Sequence, residues 1–234
     1  MLLATHQPIF LPWPAFFFKA MKVDCFVLLD RVQFPRGRGW MTRNRLKNER
    51  GEFWLTVPVF RRGRGTQLIE DVAIVYDTGW KAKHLKGVEQ SYTHAPYLRD
   101  IYPAIAAIYQ KEHSRLVSLN IEFIKLLWEK LSVSSRLVLQ SEIGVSGRGE
   151  ALIAGICRKL GATEYLALQA ARMHLDSAQL EKKGVAVRFA PYRPPVYPQL
   201  WGDFLYNLST IDLFLNCGPE SGKIIMKGYE NNSM

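Results

Sequence analysis

The first thirty residues, MLLATHQPIFLPWPAFFFKAMKVDCFVLLD (1–30), decide the fold class. Residues 2–5 form a short apolar run that gives way at once to His6-Gln7-Pro8. Pro14 then suits the first turn of a helix reaching residue 22, where its missing N–H and fixed φ are tolerated. CFVLL at 25–29 has the unbroken apolar character of a strand covered on both faces, and Asp30 ends it. Strand, loop, helix and strand in so short a span make a βαβ unit with parallel strands.

Outward from that unit the alternation continues. Residues 136–140 (RLVLQ) read as strand, 150–160 as a helix stopped by Gly161, 165–168 as strand, 175–183 as a helix stopped by Gly184, and 185–189 as strand. Between them, Tyr102, Ile105, Ile108 and Tyr109, then Leu116, Leu119, Ile121, Phe123, Ile124, Leu127 and Leu131, recur at helical spacing. Residues 54–59 and 72–76 read as strands flanking RRGRG (61–65), a hairpin with a flexible tip. The expectation is one α/β domain over 1–234. It has a mainly parallel, Rossmann-like sheet, helices on both faces, a helical insert at 79–131, and ligands bound beyond the carboxyl ends of the strands. The polar terminal YENNSM is expected to fray.

Charge is concentrated in one place. Ten basic and two acidic residues fall between Arg31 and Arg64, a local excess of +8 in a chain carrying +10 overall. This calls for an anionic partner, so the stretch is a binding site or else an unusual solvated loop. A chain of 234 residues with 48% hydrophobic content can bury a sizeable core, which excludes a disordered tail. No apolar run reaches the roughly 18–20 residues of a membrane span, and the opening lacks the basic start and cleavage site of a signal peptide. A soluble, cytoplasmic protein is expected. Cys25, Cys157 and Cys217 are odd in number and lie in apolar contexts, so they read as three buried thiols and no metal site is expected.

Three constellations carry candidate chemistry. His6-Gln7-Pro8 lies where the first strand yields to its helix, so His6 is the candidate catalytic imidazole, Gln7 its orienting amide, and Pro8 the start of a helix approach whose N–H groups would meet phosphates. A His satisfying a carbonyl in a tight turn is the alternative. Arg43-Asn44-Arg45 with Lys47, if extended, presents Arg43, Arg45 and Lys47 on one face as a guanidinium clamp for a diphosphate, with Asn44 opposite; a solvated basic edge strand is the alternative. Tyr197, Gln199, Asp212 and Asn216 form the third. Ser209, Asp212 and Asn216 share a helical face, where Asp212 serves as general base or the pair Ser209 and Asp212 caps the helix. Asp30 is placed for ligand or metal contact at a strand end, with turn capping as its default role. The joint expectation is that His6, Arg43 and Arg45 converge on one cleft with Asp30 near its rim.

The opening HQPIFLPWPAFFFKAMKVDCFVLLDRVQF, the block WMTRNRLKNERGEFWLTVPV, the segment CRKLGATEYLALQAARMHLD and the closing YPQLWGDFLYNLSTIDLFLNCG resemble the WbqC-like family. That resemblance implies a role in bacterial surface-polysaccharide and O-antigen precursor synthesis, by transfer of an aminoacyl or acyl group to a nucleotide-linked amino sugar. The chain differs from the family's usual FLPWxGYF at Pro14-Ala15-Phe16-Phe17 and from its YLSG at Tyr165-Leu166-Ala167-Leu168. A His-containing turn after the first strand is also similar to the HxGH signature of nucleotidylyl transferases, which implies nucleotidyl activation with ATP and Mg2+; this chain has one His there and lacks the glycine. The competing class is a non-catalytic module for a sugar nucleotide or nucleic acid. Phe34, Trp40, Phe53 and Trp54 stand among the arginines, as in single-strand binding surfaces, but alternate as a strand core would, and no nucleic-acid motif is present. The turn at 147–149 reads as the entry to a helix whose amides can hold a phosphate.

Overall fold

The chain opens with β1 (Leu2–His6), α1 (Pro14–Met21) and β2 (Cys25–Leu28), and the two strands run parallel in register from Leu3↔Cys25 to His6↔Leu28. This computed structural model describes residues 1–37 and 39–230. The antiparallel hairpin of β3 (Arg43–Asn48) and β4 (Gly51–Thr56) comes next, followed by α2 (Trp80–Ser91), α3 (Leu98–Gln110) and α4 (Leu116–Lys130). β5 (Arg136–Leu139) and the short α5 (Gln140–Ile143) return to the sheet, and α6 (Gly149–Leu160), β6 (Glu164–Leu168), α7 (Ser177–Glu181) and β7 (Ala186–Ala190) complete it. α8 (Thr210–Cys217) and α9 (Ser221–Glu230) close the described chain.

The sheet order is β5-β2-β1-β6-β7, with every neighbouring pair parallel. Ranked by position in the chain, those strands read 3-2-1-4-5, the order of Rossmann-like folds, and the order reverses between β1 and β6. Alternate residues of each strand enter different cores. Ala4, Phe26, Leu28 and Leu166 join Phe16 and Phe17 of α1, Phe123 of α4 and Ile211 of α8. Leu3, Cys25, Val27, Tyr165 and Ala167 join Leu152 and Ile156 of α6 and Leu180 of α7. Burial of each α1 phenylalanine contributes roughly 1.5–3 kcal/mol, so the helix that is apolar all round is the one held between the sheet and its outer helices. Gly161 ends α6 at φ 73° and Asp176 caps α7 through the Gln179 amide.

Two local expectations fail. Residues 54–59 and 72–76 do not flank a regular hairpin at RRGRG; only the bridge Val59↔Ile74 joins them, because Pro58 has no N–H to donate and the ladder partner of β4 is β3. The helix at 175–183 shrinks to α7, preceded by a 3-10 turn at Gln169–Met173. The three cysteines are free and buried. Among the described residues no helix is long and apolar enough to cross a membrane. Arg38, within the basic stretch, and the last four residues of the fraying segment lie outside the described residues.

Candidate functional site

Beyond the carboxyl ends of β1, β2 and β5 lies a cleft of about 620 Å³. Gln7 and Leu29 enter it directly after β1 and β2, Arg31, Val32 and Gln33 follow, and Thr66 and Leu68 form the outer wall. The opposite wall is Ser146-Gly147-Arg148-Gly149 with Leu152 and Ile153, the opening of α6. Apolar groups at the base and arginines at the rim suit a ligand with a planar or apolar part and an anionic part. The first amides of α6 have no partner inside the helix and carry its positive dipole end, so they favour an anion. Gly149 takes φ 52°, and a Cβ on Gly155 would meet Val145 at 2.9 Å, so the turn is folded tightly back on its own helix. Gln140, fully buried, donates from Nε2 to the Val145 carbonyl (3.0 Å) and accepts from the Arg31 amide (3.3 Å). That one amide joins the two walls.

His6 and Gln7 point to different faces of the sheet. Gln7 lines the cleft on the α6 face, whereas the His6 ring packs edge-on against Phe16 of α1 (5.0 Å) and Trp13 (6.4 Å). His6 Nδ1 lies 2.8 Å from the Gln7 carbonyl, which can only accept, so the proton sits on Nδ1 and Nε2 carries the lone pair. Burial, then the nearby Lys19 ammonium, hold the His6 pKa down at about 3, partly opposed by the Gln7 carbonyl. The imidazole is therefore neutral at physiological pH and has no second proton to give an anion. The start of α1 does not receive a phosphate either. Pro14 has no N–H, the Phe16 amide donates to the Trp13 carbonyl, and residues 14–20 are all buried.

The β3–β4 hairpin lies over the loop that follows Pro8. Asn44 is fully buried and donates to the Phe10 (3.3 Å) and Leu11 (2.6 Å) carbonyls, which holds Leu11 at φ 45°; Asn120 of α4 donates to the Pro8 (2.7 Å) and Met41 (2.9 Å) carbonyls. Asn44 and Leu46 face inward and Arg43, Arg45 and Lys47 the other way, as the strand period requires. The outward row is not a free clamp. Arg43 stacks on Trp54 with 3.5 Å between guanidinium and ring centre, and Arg45 pairs with Glu52 and donates to the Tyr206 carbonyl. Ring contacts lead from His6 through Trp13, Trp40 and Trp54 to Arg43, and none of these residues lines the cleft that Gln7 enters.

Lys47 instead meets the C-terminal constellation. Its Nζ donates to Gln199 Oε1 (3.2 Å) and to the Asp203 carbonyl (2.5 Å), and its amide donates to the Tyr92 hydroxyl. Tyr92 and Tyr197 each donate to a different oxygen of Asp212, which is 1% exposed, and Asn216 donates to the Asp212 carbonyl (2.8 Å) while accepting from the Leu200 amide. Burial raises the Asp212 pKa, and the two hydroxyls and Lys47 draw it back; burial and Asp212 push both tyrosines well above 10, so they remain donors. Ser209 caps α8 by accepting from the Ile211 amide (3.2 Å). The network fastens the irregular segment 191–209 to β3 and α8. Asp30, also buried, accepts from the Ser141 amide (2.9 Å) and hydroxyl (2.5 Å), capping α5 behind the cleft wall rather than standing at its rim.

Arg31, Arg148, Gln140, Asn120 and Tyr92 escaped sequence reasoning. Only the glycines at 147 and 149 signalled the α6 turn. A parallel sheet in 3-2-1-4-5 order, with an arginine-rimmed, helix-opened cleft at its carboxyl edge, defines a Rossmann-like α/β protein. The chain belongs to the WbqC-like protein family, whose family model matches residues 7–224. It is similar to the uncharacterized protein Rv1507c of Mycobacterium tuberculosis (strain ATCC 25618 / H37Rv), being 30% identical over 220 residues that cover 93% of this chain and 94% of that one. No solved structure matches.

Proposed function

We propose that this protein is an enzyme of bacterial surface-polysaccharide precursor synthesis that transfers an aminoacyl or acyl group to a nucleotide-linked amino sugar and holds the nucleotide in the cleft on the α6 face. The family supports the reaction class. The observation that carries the binding mode is the joining of Gln7, Arg31 and Arg148 to the opening of α6 at the carboxyl edge of the sheet. Arg148, together with the N–H groups of Arg31 that its ion pair with Glu70 (3.0 Å) leaves over, compensates the phosphate charge, the α6 amides donate to phosphate oxygens, and Gln7 orients the reacting end. His6 positions Gln7 through the carbonyl that its Nδ1 engages, and the Asp212 network positions the 191–209 segment. If activation proceeds through ATP, accompanying Mg2+ would be held largely by the phosphates, since among the described residues no group of three or more His, Cys, Asp or Glu is arranged to hold a metal.

Arg148→Gln should weaken binding of UDP-N-acetylglucosamine or ATP at least tenfold by calorimetry, because a charge-assisted contact is lost. The ligand-free unfolding midpoint should not move, since the side chain is exposed. Joint stabilisation by ATP and an amino acid would mark an activating enzyme; stabilisation by oligonucleotides alone would refute the enzyme reading.

One observation favours a second, non-catalytic reading. Phe34 and Phe53 pack toward the core, but Trp40 and Trp54 stay 39% and 38% exposed beside Arg43, a surface on which bases can stack. On that reading, Trp54→Ala reduces single-stranded DNA binding about tenfold or more and the remaining affinity falls steeply with salt. Affinity unchanged by the substitution would dismiss it.

A further inference from the structure

Among the described residues the guanidinium of Arg61 forms no ion pair with a carboxylate. Its Nη1 donates to the Pro35 carbonyl (3.1 Å), and its plane lies 4.3 Å from the centre of the buried Phe34 ring. Arg36 likewise forms no ion pair among the described residues. Both border a second concavity of about 180 Å³ that shares Gln33 and Thr66 with the cleft. The partition between the two spaces is built, not slack. Segments 32–34 and 67–69 run antiparallel, with the Phe34 amide on the Gln67 carbonyl (2.9 Å), the Ile69 amide on the Val32 carbonyl (3.0 Å), and Gln67 Nε2 on the Phe60 carbonyl (3.1 Å). A solvated arginine loop needs none of this. Partial burial also depresses the basicity of Arg61, so its charge is already partly stripped of water.

We propose that Arg61 and Arg36 form a second anion subsite that receives an acidic group, phosphate or carboxylate, from the same ligand whose nucleotide occupies the cleft. This rests on the nucleotide reading of the cleft and adds a length and charge requirement. The ligand must carry one anion at Arg31 and Arg148 and a further one across the Gln33–Thr66 partition. The space of about 180 Å³ has room for a single phosphate or carboxylate. Arg61 presents its remaining N–H groups in a fixed fork suited to such a planar or tetrahedral oxyanion.

The test uses the full chain at fixed ionic strength and two matched ligand pairs, UDP-glucuronate against UDP-glucose and ATP against ADP. In each pair the first ligand adds one acidic group. The wild type should bind one of the acidic members at least tenfold more tightly than its partner. A glucuronate preference assigns the subsite to a sugar carboxylate, and an ATP preference to a terminal phosphate. That preference should vanish in Arg61→Gln and survive in Arg64→Gln, whose guanidinium lies over Phe60 instead. Arg36→Gln, on an exposed side chain, should lower the preference severalfold and serves if Arg61→Gln unfolds. Equal affinities within both pairs in the wild type, or a preference that Arg61→Gln leaves intact, overturns the subsite while leaving the cleft reading standing. If none of the four ligands binds, both fall.

Discussion

Asp212→Ala is expected to lower the free energy of unfolding by about 3–5 kcal/mol, the range for removing one partner from a buried charged network. The loss is large because the carboxylate is not merely buried. It is the shared acceptor of Tyr92 and Tyr197, both themselves enclosed, and its removal leaves two buried hydroxyls without the acceptor they donate to. Lys47, buried at 3% exposure, would keep only carbonyl and amide acceptors and lose the nearby negative charge. Since Lys47 and Gln199 tie the 199–205 segment to β3, proteolytic nicking should appear there before the parallel sheet opens. Urea unfolding and limited proteolysis measure the two effects. Asp212→Asn keeps the volume and one acceptor oxygen and should cost less. If Asp212→Asn instead abolishes group transfer while stability stays within about 0.5 kcal/mol of wild type, Asp212 is the general base that its sequence position first indicated, and the anchoring role is wrong.

How far the sequence could be read depended on the range of the interactions. The βαβ opening was legible because both of its strands are covered on both faces, which leaves a local, continuous apolar signal, and the capping role of Ser209 was legible because it is decided within a few residues. The two-sided clamp of Arg43, Arg45 and Lys47 followed correctly from the strand period as far as direction goes. What that period cannot show is what each side chain meets: a tryptophan for Arg43, a glutamate for Arg45, and a loop about 150 residues later for Lys47. The cleft was illegible for the same reason, since Arg31 and Arg148 become neighbours only after β5 docks beside β2. One signal was present and unused. His6 and Gln7 are adjacent at a strand end, so they must point to opposite faces, and a single cleft behind α1 could never have taken both.

A Lys19→Met variant should be more stable than wild type by a few kcal/mol at pH 6, and the gain should fade toward zero above pH 10.5. Lys19 sits on α1 with 7% exposure, its Nζ donating to the Thr5 carbonyl (2.6 Å) and lying 5.6 Å from the centre of the Phe26 ring. Burial brings its pKa from 10.5 down to about 7. In the folded chain the amine thus loses its proton near pH 7, whereas the unfolded chain keeps it until 10.5. Between those values the unfolded state binds more protons, so wild-type stability rises with pH across that window; below it the full cost of a buried ammonium applies. Each unit of displacement is worth about 1.4 kcal/mol. His6, displaced from 6.5 to about 3, adds a second slope of the same sign at lower pH: as pH falls from 6.5 toward 3 the unfolded chain takes up a proton that the folded imidazole refuses, and stability falls further. Because the Lys19 charge is one cause of that displacement, Lys19→Met should also raise the His6 pKa, which NMR titration of the imidazole can follow. A uniform loss of stability in Lys19→Met at every pH would show instead that the ammonium is well paired and that α1 needs it. If the gain appears, α1 holds against the carboxyl end of β1 a residue, Lys19, that lowers stability at neutral pH beside His6 of the HQP turn, and such a cost is the expected mark of a group retained for chemistry rather than for folding.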